Sequence, residues 1–263
     1  MMQPQTICIK IGGSTIDAPG LLDELGQAIK RLVGQGHKPM LVHGGGKDIA
    51  RQLKLLNKEF TFVEGMRVTD AQTMQTVQMV LSGDVNKRIV NALLCEKVRA
   101  LGISGVDGDL FNATRLLINN KDIGHVGTIE KVDDNLIRSL LACSLVPVIS
   151  PVSRDRKGDI YNVNADVAAS ELAVGMKVDH LIFISDVPGV KIDGEILHEI
   201  PTSEMEQLIT AGQITGGMIP KIRSAAQAVS RGVGRVHIAG WHGSETLVSE
   251  LSVDTAHGTV IYR

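Results

Sequence analysis

Lys10 stands second from the end of an apolar run, TICIKI, which is followed at once by Gly12, Gly13 and Ser14. An ammonium group inside such a run is costly unless something uses it. Three other glycine clusters occur: HGGGKD (His43 to Asp48), SGVDGD (Ser104 to Asp109) and ITGGMIPK (Ile214 to Lys221). Glycine lets backbone N–H groups approach a ligand without a Cβ in the way, and a helix N-terminus adds oriented donors and partial positive charge. Lysine adds a compact point charge suited to phosphate oxygens. An attraction of about 1 kcal/mol at 4 Å in water becomes about 4 kcal/mol at an effective dielectric of 20. Glycine loops accompanied by Lys10 and Lys221 therefore suit an anion held locally. Each loop taken alone is also ordinary turn punctuation, and Lys221 alone is also an ordinary solvated helix residue.

Asp166, in NVNADVAA, falls near a predicted helix start, where a carboxylate is favoured by roughly 0.3 to 1 kcal/mol whatever else it does. Facing the lysines, it would hold two ammonium groups in place. The familiar phosphate fingerprints are missing. There is no G-x-x-x-x-G-K-[ST], and Ile49 stands where a G-x-G-x-x-G loop needs its third glycine. The eight histidines show neither metal-ligand nor triad spacing, no G-x-S-x-G elbow occurs, and no cluster of Asp or Glu suggests a dedicated metal site. His43, before three glycines, reads as a structural hydrogen bonder.

These loops need a frame. Short β-branched runs at 6–11, 39–43, 146–152, 181–187 and 235–240 read as buried strands, and amphipathic segments at 21–34, 47–56, 71–81, 85–101, 165–174, 203–211 and 219–231 read as helices. Their alternation predicts an α/β fold with a largely parallel sheet, in which ligands sit beyond the carboxyl ends of the strands. Strand-helix rhythm restarts after Gly175, which places a lobe boundary there, with no linker to separate the halves. Asp193-Gly194 reads as a hairpin turn.

Composition narrows the ligand. The 263 residues carry 27 basic and 29 acidic side chains, net −2, without blocks of one sign, and aromatics are 3%. Nucleic acid and membrane surfaces are poor partners for such a chain, and a small molecule is a better one. Cys8, Cys95 and Cys143 lie far apart in apolar segments and read as reduced core residues, pointing to the cytosol. Met74, Val77, Val80 and Leu81 recur at helical spacing, as either a dimer face or a stripe packed on the sheet.

KIGGS, HGGGKDI, GMRVTD, SGVDGD, GHVGTI, NVNADVAA, SDVPGV and GGMIPK together stand in the order and spacing of the amino acid kinase family, over essentially the whole chain. The chain resembles that family, and GMRVTD followed by GHVGTI and NVNAD resembles its acetylglutamate branch. The resemblance implies an open αβα sandwich with a mostly parallel central sheet. Residues 1–175 would form an acyl-amino-acid-binding and dimerisation lobe, and 176–263 an ATP-binding lobe. The implied activity is ATP-dependent phosphorylation of the side-chain carboxylate of N-acetyl-L-glutamate, a step of arginine biosynthesis, by a cytoplasmic homodimer. Mg²⁺ would enter with ATP, held mainly by phosphates. A kinase of a related acceptor such as N-acetyl-aminoadipate, or a non-catalytic amino acid sensor, are the alternatives.

By the same resemblance, Lys10 and Lys221 would neutralise the phosphoryl group in flight, with Asp166 orienting them and the amides of Gly13 and Gly45 holding it. Arg67 would grip the α-carboxylate of the substrate in a pocket completed by Gly45, Gly46 and Asn162. Gly12, Ser185, Asp186, Val187, Pro188, Gly189, Val190, Gln213, Ile214, Thr215 and Lys221 would serve the nucleotide. The residue chemistry agrees: a carboxylate nucleophile is already ionised at neutral pH and needs no general base, only clamps and charge neutralisers.

Overall fold

The computed structural model describes residues 3–12, 16, 20–252 and 256–263; Gly13 lies outside the described residues. In chain order the first lobe contributes β1 (Thr6–Ile11), α1 (Leu21–Gly34), β2 (Lys38–His43), α2 (Gly46–Leu55), β3 (Phe62–Val63), β4 (Met66–Arg67), α3 (Ala71–Gln78) and α4 (Asn86–Cys95). It continues with β5 (Ala100–Ser104), β6 (Phe111–Ile118), β7 (Lys121–Val132), α5 (Asn135–Ala142), β8 (Val146–Ser150), β9 (Val152–Arg154), β10 (Ile160–Val163) and α6 (Ala165–Met176). The remainder is β11 (His180–Ile184), β12 (Lys191–Ile192), β13 (Glu195–Ile196), β14 (Glu199–Pro201), α7 (Met205–Thr210), α8 (Met218–Ser230), β15 (Arg235–Ala239), α9 (Thr246–Ser249) and β16 (Thr259–Tyr262).

One eight-stranded sheet runs β14-β16-β15-β11-β1-β2-β8-β5, parallel throughout except at β15/β16. Strands from residue 180 onward fill one half and earlier strands the other, meeting at β1/β11. This is the open αβα sandwich with a mostly parallel sheet. Side chains alternate between the two faces of a strand, and β1 shows the consequence. Ile7, Ile9 and Ile11 enter a core with Leu25 and Ile29 of α1 and Val77 of α3, while Cys8 enters the opposite core with Leu172 of α6 and Ile222 of α8. Lys10 shares the Cys8 face, the side on which α6 lies.

Several elements differ from the sequence expectation. The helices expected at 71–81 and 85–101 are one rod, because α3 and α4 are joined by a π-helical segment, Met79–Val85. The rod ends at Cys95, before Lys97 takes φ 65°, and β5 begins soon after. The run 146–152 divides at Pro151, which has no N–H to offer a ladder, into β8 and β9. β9 joins β6, β7 and β10 in a small closed barrel that periodicity alone did not suggest. Asp193 and Gly194, at φ 53° and 89°, turn the β12/β13 hairpin as expected.

One further expectation is corrected, and one choice between two alternatives is decided. Cys8 is buried, but Cys95 and Cys143 are exposed, since each sits at or just past a helix end rather than in its middle. Met74, Val77, Val80 and Leu81 are all buried in the chain's own core against α1 and β1, so that stripe is sheet packing and not a free dimer face.

Candidate active site

β1 and β11 end side by side, and the loops after them meet the first turn of α6. Asn164 caps that helix, its side chain accepting from the Asp166 N–H at 2.7 Å. The cap fixes where the helix starts, and so where Asp166 projects. Its carboxylate lies 2.8 Å from Lys10 Nζ, an ion pair with the lysine side chain only 16% exposed. Across the same cavity Lys221, in the first turn of α8, donates to Ser185 Oγ at 3.1 Å. Lys10, Asp166, Ser185 and Lys221 thus line one cavity, with Asn164, Phe183, Pro220 and Ser224 among its other walls.

A second cavity opens on the β2 side. Gly12, Gly44, Gly45, Gly46, Arg67, Asn162 and Leu81 line it, and so do Lys10, Asn164 and Asp166. The two cavities therefore meet at these last three residues. Gly45 is required by its neighbours: a Cβ there would lie 2.6 Å from Leu81 Cδ2 and 3.3 Å from Val85 Cγ2. The π-helical segment brings both side chains against the loop.

Arg67 enters this second cavity already oriented. Nη2 donates to the Gly46 carbonyl at 3.0 Å, and the guanidinium stands 4.4 Å from the Phe60 ring centroid and 4.7 Å from that of Phe62. The side chain is buried and Nη1 has no hydrogen-bond partner among the described residues. Burial lowers its pKa from the ordinary arginine value, though arginine stays charged. A buried cationic N–H without an acceptor is expensive, and a carboxylate entering the cavity would supply one. Asn162 is held nearby, donating to Thr69 Oγ1 at 3.2 Å.

The structure brings Lys10, Gly12, Gly45, Gly46, Arg67, Asn162, Asp166, Ser185 and Lys221 to the two joined cavities. It does not bring the remaining nucleotide candidates to their walls. Val190 and Ile214 are buried in the core, and Gly189 packs so closely that a Cβ would meet Ile196 Cγ2 and Thr259 Oγ1, both at 2.9 Å. Asp186, Gln213 and Thr215 are exposed, and Val187 and Pro188 half-buried, outside the cavity lining. Among the described residues no group of three or more His, Cys, Asp or Glu could hold a metal ion. Phe60 and Phe62 were not anticipated. The signal was there, because two of only four phenylalanines stand two apart just before Arg67.

The family model described as "Amino acid kinase family" matches residues 5–240. The chain belongs to the amino acid kinase family. Acetylglutamate kinase of Halothermothrix orenii is 38% identical over 265 residues, covering 98% of this chain and 91% of that relative. The enzyme of the same name from Nitrosomonas eutropha is 40% identical, covering 98% and 90%. Among solved structures, N-acetylglutamate synthase of Neisseria gonorrhoeae, complexed with coenzyme A and N-acetyl-glutamate, superposes with TM-score 0.86 at 24% identity over 98% of this chain. The present chain spans only 59% of that synthase's length. Carbamate kinase of Giardia lamblia bound to AMP-PNP superposes with TM-score 0.72 at 18% identity, covering 99% of each chain. At such identities these two show the shared amino acid kinase fold alone.

Proposed function

We propose that this chain transfers the γ-phosphoryl group of ATP to the side-chain carboxylate of N-acetyl-L-glutamate, as an acetylglutamate kinase of arginine biosynthesis. The relatives of that name, matched over nearly their whole length, support the acceptor. The observation that carries the reaction is the junction of the two cavities at Lys10, Asn164 and Asp166. An acceptor in one and a nucleotide in the other would present their reacting oxygens to the same ammonium group.

In this reading Arg67 binds the α-carboxylate through Nη1, with Asn162 and the Gly45–Gly46 backbone alongside. The acceptor's distal carboxylate attacks as it stands, already ionised. Lys10 meets the charge developing on the transferred group from the first lobe and Lys221 from the second, with Asp166 fixing Lys10 and the Gly45 amide holding an oxygen of the moving group. Such groups act where charge is largest, in the transition state. Residues 1–175 would carry the acceptor and 176–263 the nucleotide. Ser185, Lys221 and Gly12 line the joined cavities, whereas Asp186 to Val190 and Gln213 to Thr215 belong to the nucleotide side only if it extends past the cavity walls.

Among the described residues, Asp166 is the one acidic residue lining either cavity. A site rich in lysine and poor in carboxylate fits a Mg²⁺ that arrives on ATP, where it neutralises phosphate charge, better than a metal resident in the protein. The proposal includes a homodimer, for which exposed Met79 and Leu94 on the α3/α4 rod offer apolar surface. No helix among the described residues is long and apolar enough to cross a membrane. A cytoplasmic setting also belongs to the proposal.

The test is an ATP/Mg²⁺ assay with hydroxylamine as trap, comparing N-acetyl-L-glutamate, N-acetyl-L-aminoadipate and unacetylated glutamate. Hydroxamate from the first alone is expected. Product only from another acceptor moves the assignment within the family, and folded protein giving none with any acceptor overturns it.

A further inference from the structure

His43 ends β2 immediately before the three glycines and is completely buried, yet no reaction step calls on it. Both its ring nitrogens are occupied. Nδ1 lies 2.9 Å from the Gly44 carbonyl oxygen, and Nε2 lies 3.2 Å from Asn86 Nδ2. A carbonyl can only accept and an amide NH₂ can only donate. One tautomer satisfies both, with the proton on Nδ1. The orientation of the Asn86 amide is itself fixed. Its nitrogen also faces the carbonyls of Val148 at 2.9 Å and Ile103 at 3.2 Å, so that its two protons are shared among three acceptors, while its oxygen receives Lys87 Nζ at 3.0 Å.

The far end of this chain of contacts is the glycine loop. Gly44 N–H donates to the Ile11 carbonyl at 2.9 Å, so the loop is tied to the end of β1 next to Gly12. The Gly44 carbonyl is turned inward to the His43 ring. No described peptide bond is cis, and across a trans peptide the C=O and the following N–H point in opposite directions. Holding the Gly44 carbonyl inward therefore turns the Gly45 N–H outward, to the side on which Gly44, Gly45 and Gly46 line the acceptor cavity.

We infer that Asn86 and His43 are positioning residues for phosphoryl transfer: Asn86 selects the His43 tautomer, and His43 Nδ1–H holds the Gly44–Gly45 peptide with its amide facing the moving group. The inference rests on the proposed kinase reading for what the amide binds, but not for the tautomer. A donor whose direction is set before the substrate arrives needs no reorganisation in the transition state. Were the proton on Nε2, it would collide with the Asn86 amide, and a bare Nδ1 would face the carbonyl oxygen. The peptide would then be free to rotate its carbonyl toward the cavity, replacing a donor with a lone pair that repels phosphate oxygens.

Two substitutions separate this role from mere packing. The amide of His43→Asn can occupy the Nδ1 position and donate to Gly44, whereas that of His43→Gln reaches the Nε2 position and keeps only the Asn86 contact. With both variants shown to be folded by thermal melting, His43→Asn is expected to keep kcat within about fivefold, and His43→Gln to lose roughly 100-fold, the scale of one lost oxyanion donor. KM for N-acetyl-L-glutamate should change little in either. Equal losses, or the reverse order, overturn the inference. Independently of activity, ¹⁵N shifts of the His43 imidazole in the unmodified protein should report a protonated Nδ1 and a bare Nε2. The opposite tautomer overturns the inference even if neither variant folds. Wild-type protein without transfer to N-acetyl-L-glutamate but with the Nδ1–H tautomer would fail the kinase reading and leave the loop geometry standing.

Discussion

Lys10 and Asp166 join the end of the first strand to the first turn of helix α6 through an ion pair of 2.8 Å, at the point where the two cavities meet. The Asp166 side chain is 43% exposed, so the pair adds little to stability, on the order of 0–1 kcal/mol. Its consequence is directional: it fixes the ammonium group of the largely buried Lys10 at the junction of the two cavities. Asp166→Asn should therefore melt within a few degrees of the parent protein while kcat falls by about 100-fold, with KM for the acceptor nearly unchanged. Unaltered turnover in a steady-state assay would remove Asp166 from the machinery.

Arg67 gives the complementary split. Its Nη1 is buried without a partner among the described residues, while Nη2 is fixed by Gly46. Lysine cannot keep the Gly46 contact and offer a second planar donor at once. Arg67→Lys should raise KM for N-acetyl-L-glutamate by about 10- to 100-fold, the worth of a charge-assisted hydrogen bond, with kcat changed far less. A KM equal to that of the parent would exclude Arg67 as the carboxylate grip.

The rings of Phe60 and Phe62, themselves edge to face at 5.9 Å between centroids, hold that guanidinium. Phe62 is more than half exposed, so its truncation should cost little stability. A cation–π contact is worth about 0.5 to 2 kcal/mol. Phe62→Leu should accordingly raise KM for the acceptor some 2- to 20-fold without touching kcat, and Phe62→Tyr should restore it. Titration calorimetry with N-acetyl-L-glutamate gives the same ordering free of kinetics, and equal affinities for Phe62→Leu and the parent would rule the contact out.

How far these features could be read in advance depended on range. Strand β1 and helix α1 were legible because their apolar periods are local, and Asp166 stood out because a helix start is a local signal. The barrel was not, since its strands β6, β7, β9 and β10 are amphipathic pieces whose pairing is set by tertiary closure. The β6/β7 turn at Asn119-Asn120, with φ 50° and 59°, and the β9/β10 turn at Gly158, with φ 95°, were local cues to hairpins but not to closure. The π-helical segment was equally hidden. Ser82-Gly83 reads as a break, whereas burial of Leu81 and Val85 against Gly45 keeps the rod continuous. His43 was recognised as a hydrogen bonder, but its partner Asn86 is 43 residues away and no local spacing identifies it.

Buried histidines predict how stability depends on pH. Desolvation pulls the His43 pKa down to about 4 and that of His180 down to about 3, the latter also disfavoured by neighbouring His237 and Arg235. His37 and His237 are lowered for the same first reason, burial. His43 and His180 are therefore uncharged in the folded protein where the unfolded chain, near its ordinary value of 6.5, begins to take up protons, and the downward shifts of His37 and His237 act in the same direction. More protons on the unfolded side means that stability is complete above about pH 6.5 and declines as pH falls toward 4, by up to about 1.4 kcal/mol per pH unit for each group. His180 Nδ1 lies 2.8 Å from His237 Nε2, a contact that two imidazolium rings could not keep. Urea unfolding between pH 7 and 5 should show this decline, a window chosen to stay above the titration of ordinary carboxylates. His180→Asn should flatten the slope by up to one proton's worth. A slope identical in parent and variant would mean that His180 is charged in the folded state, contrary to its burial.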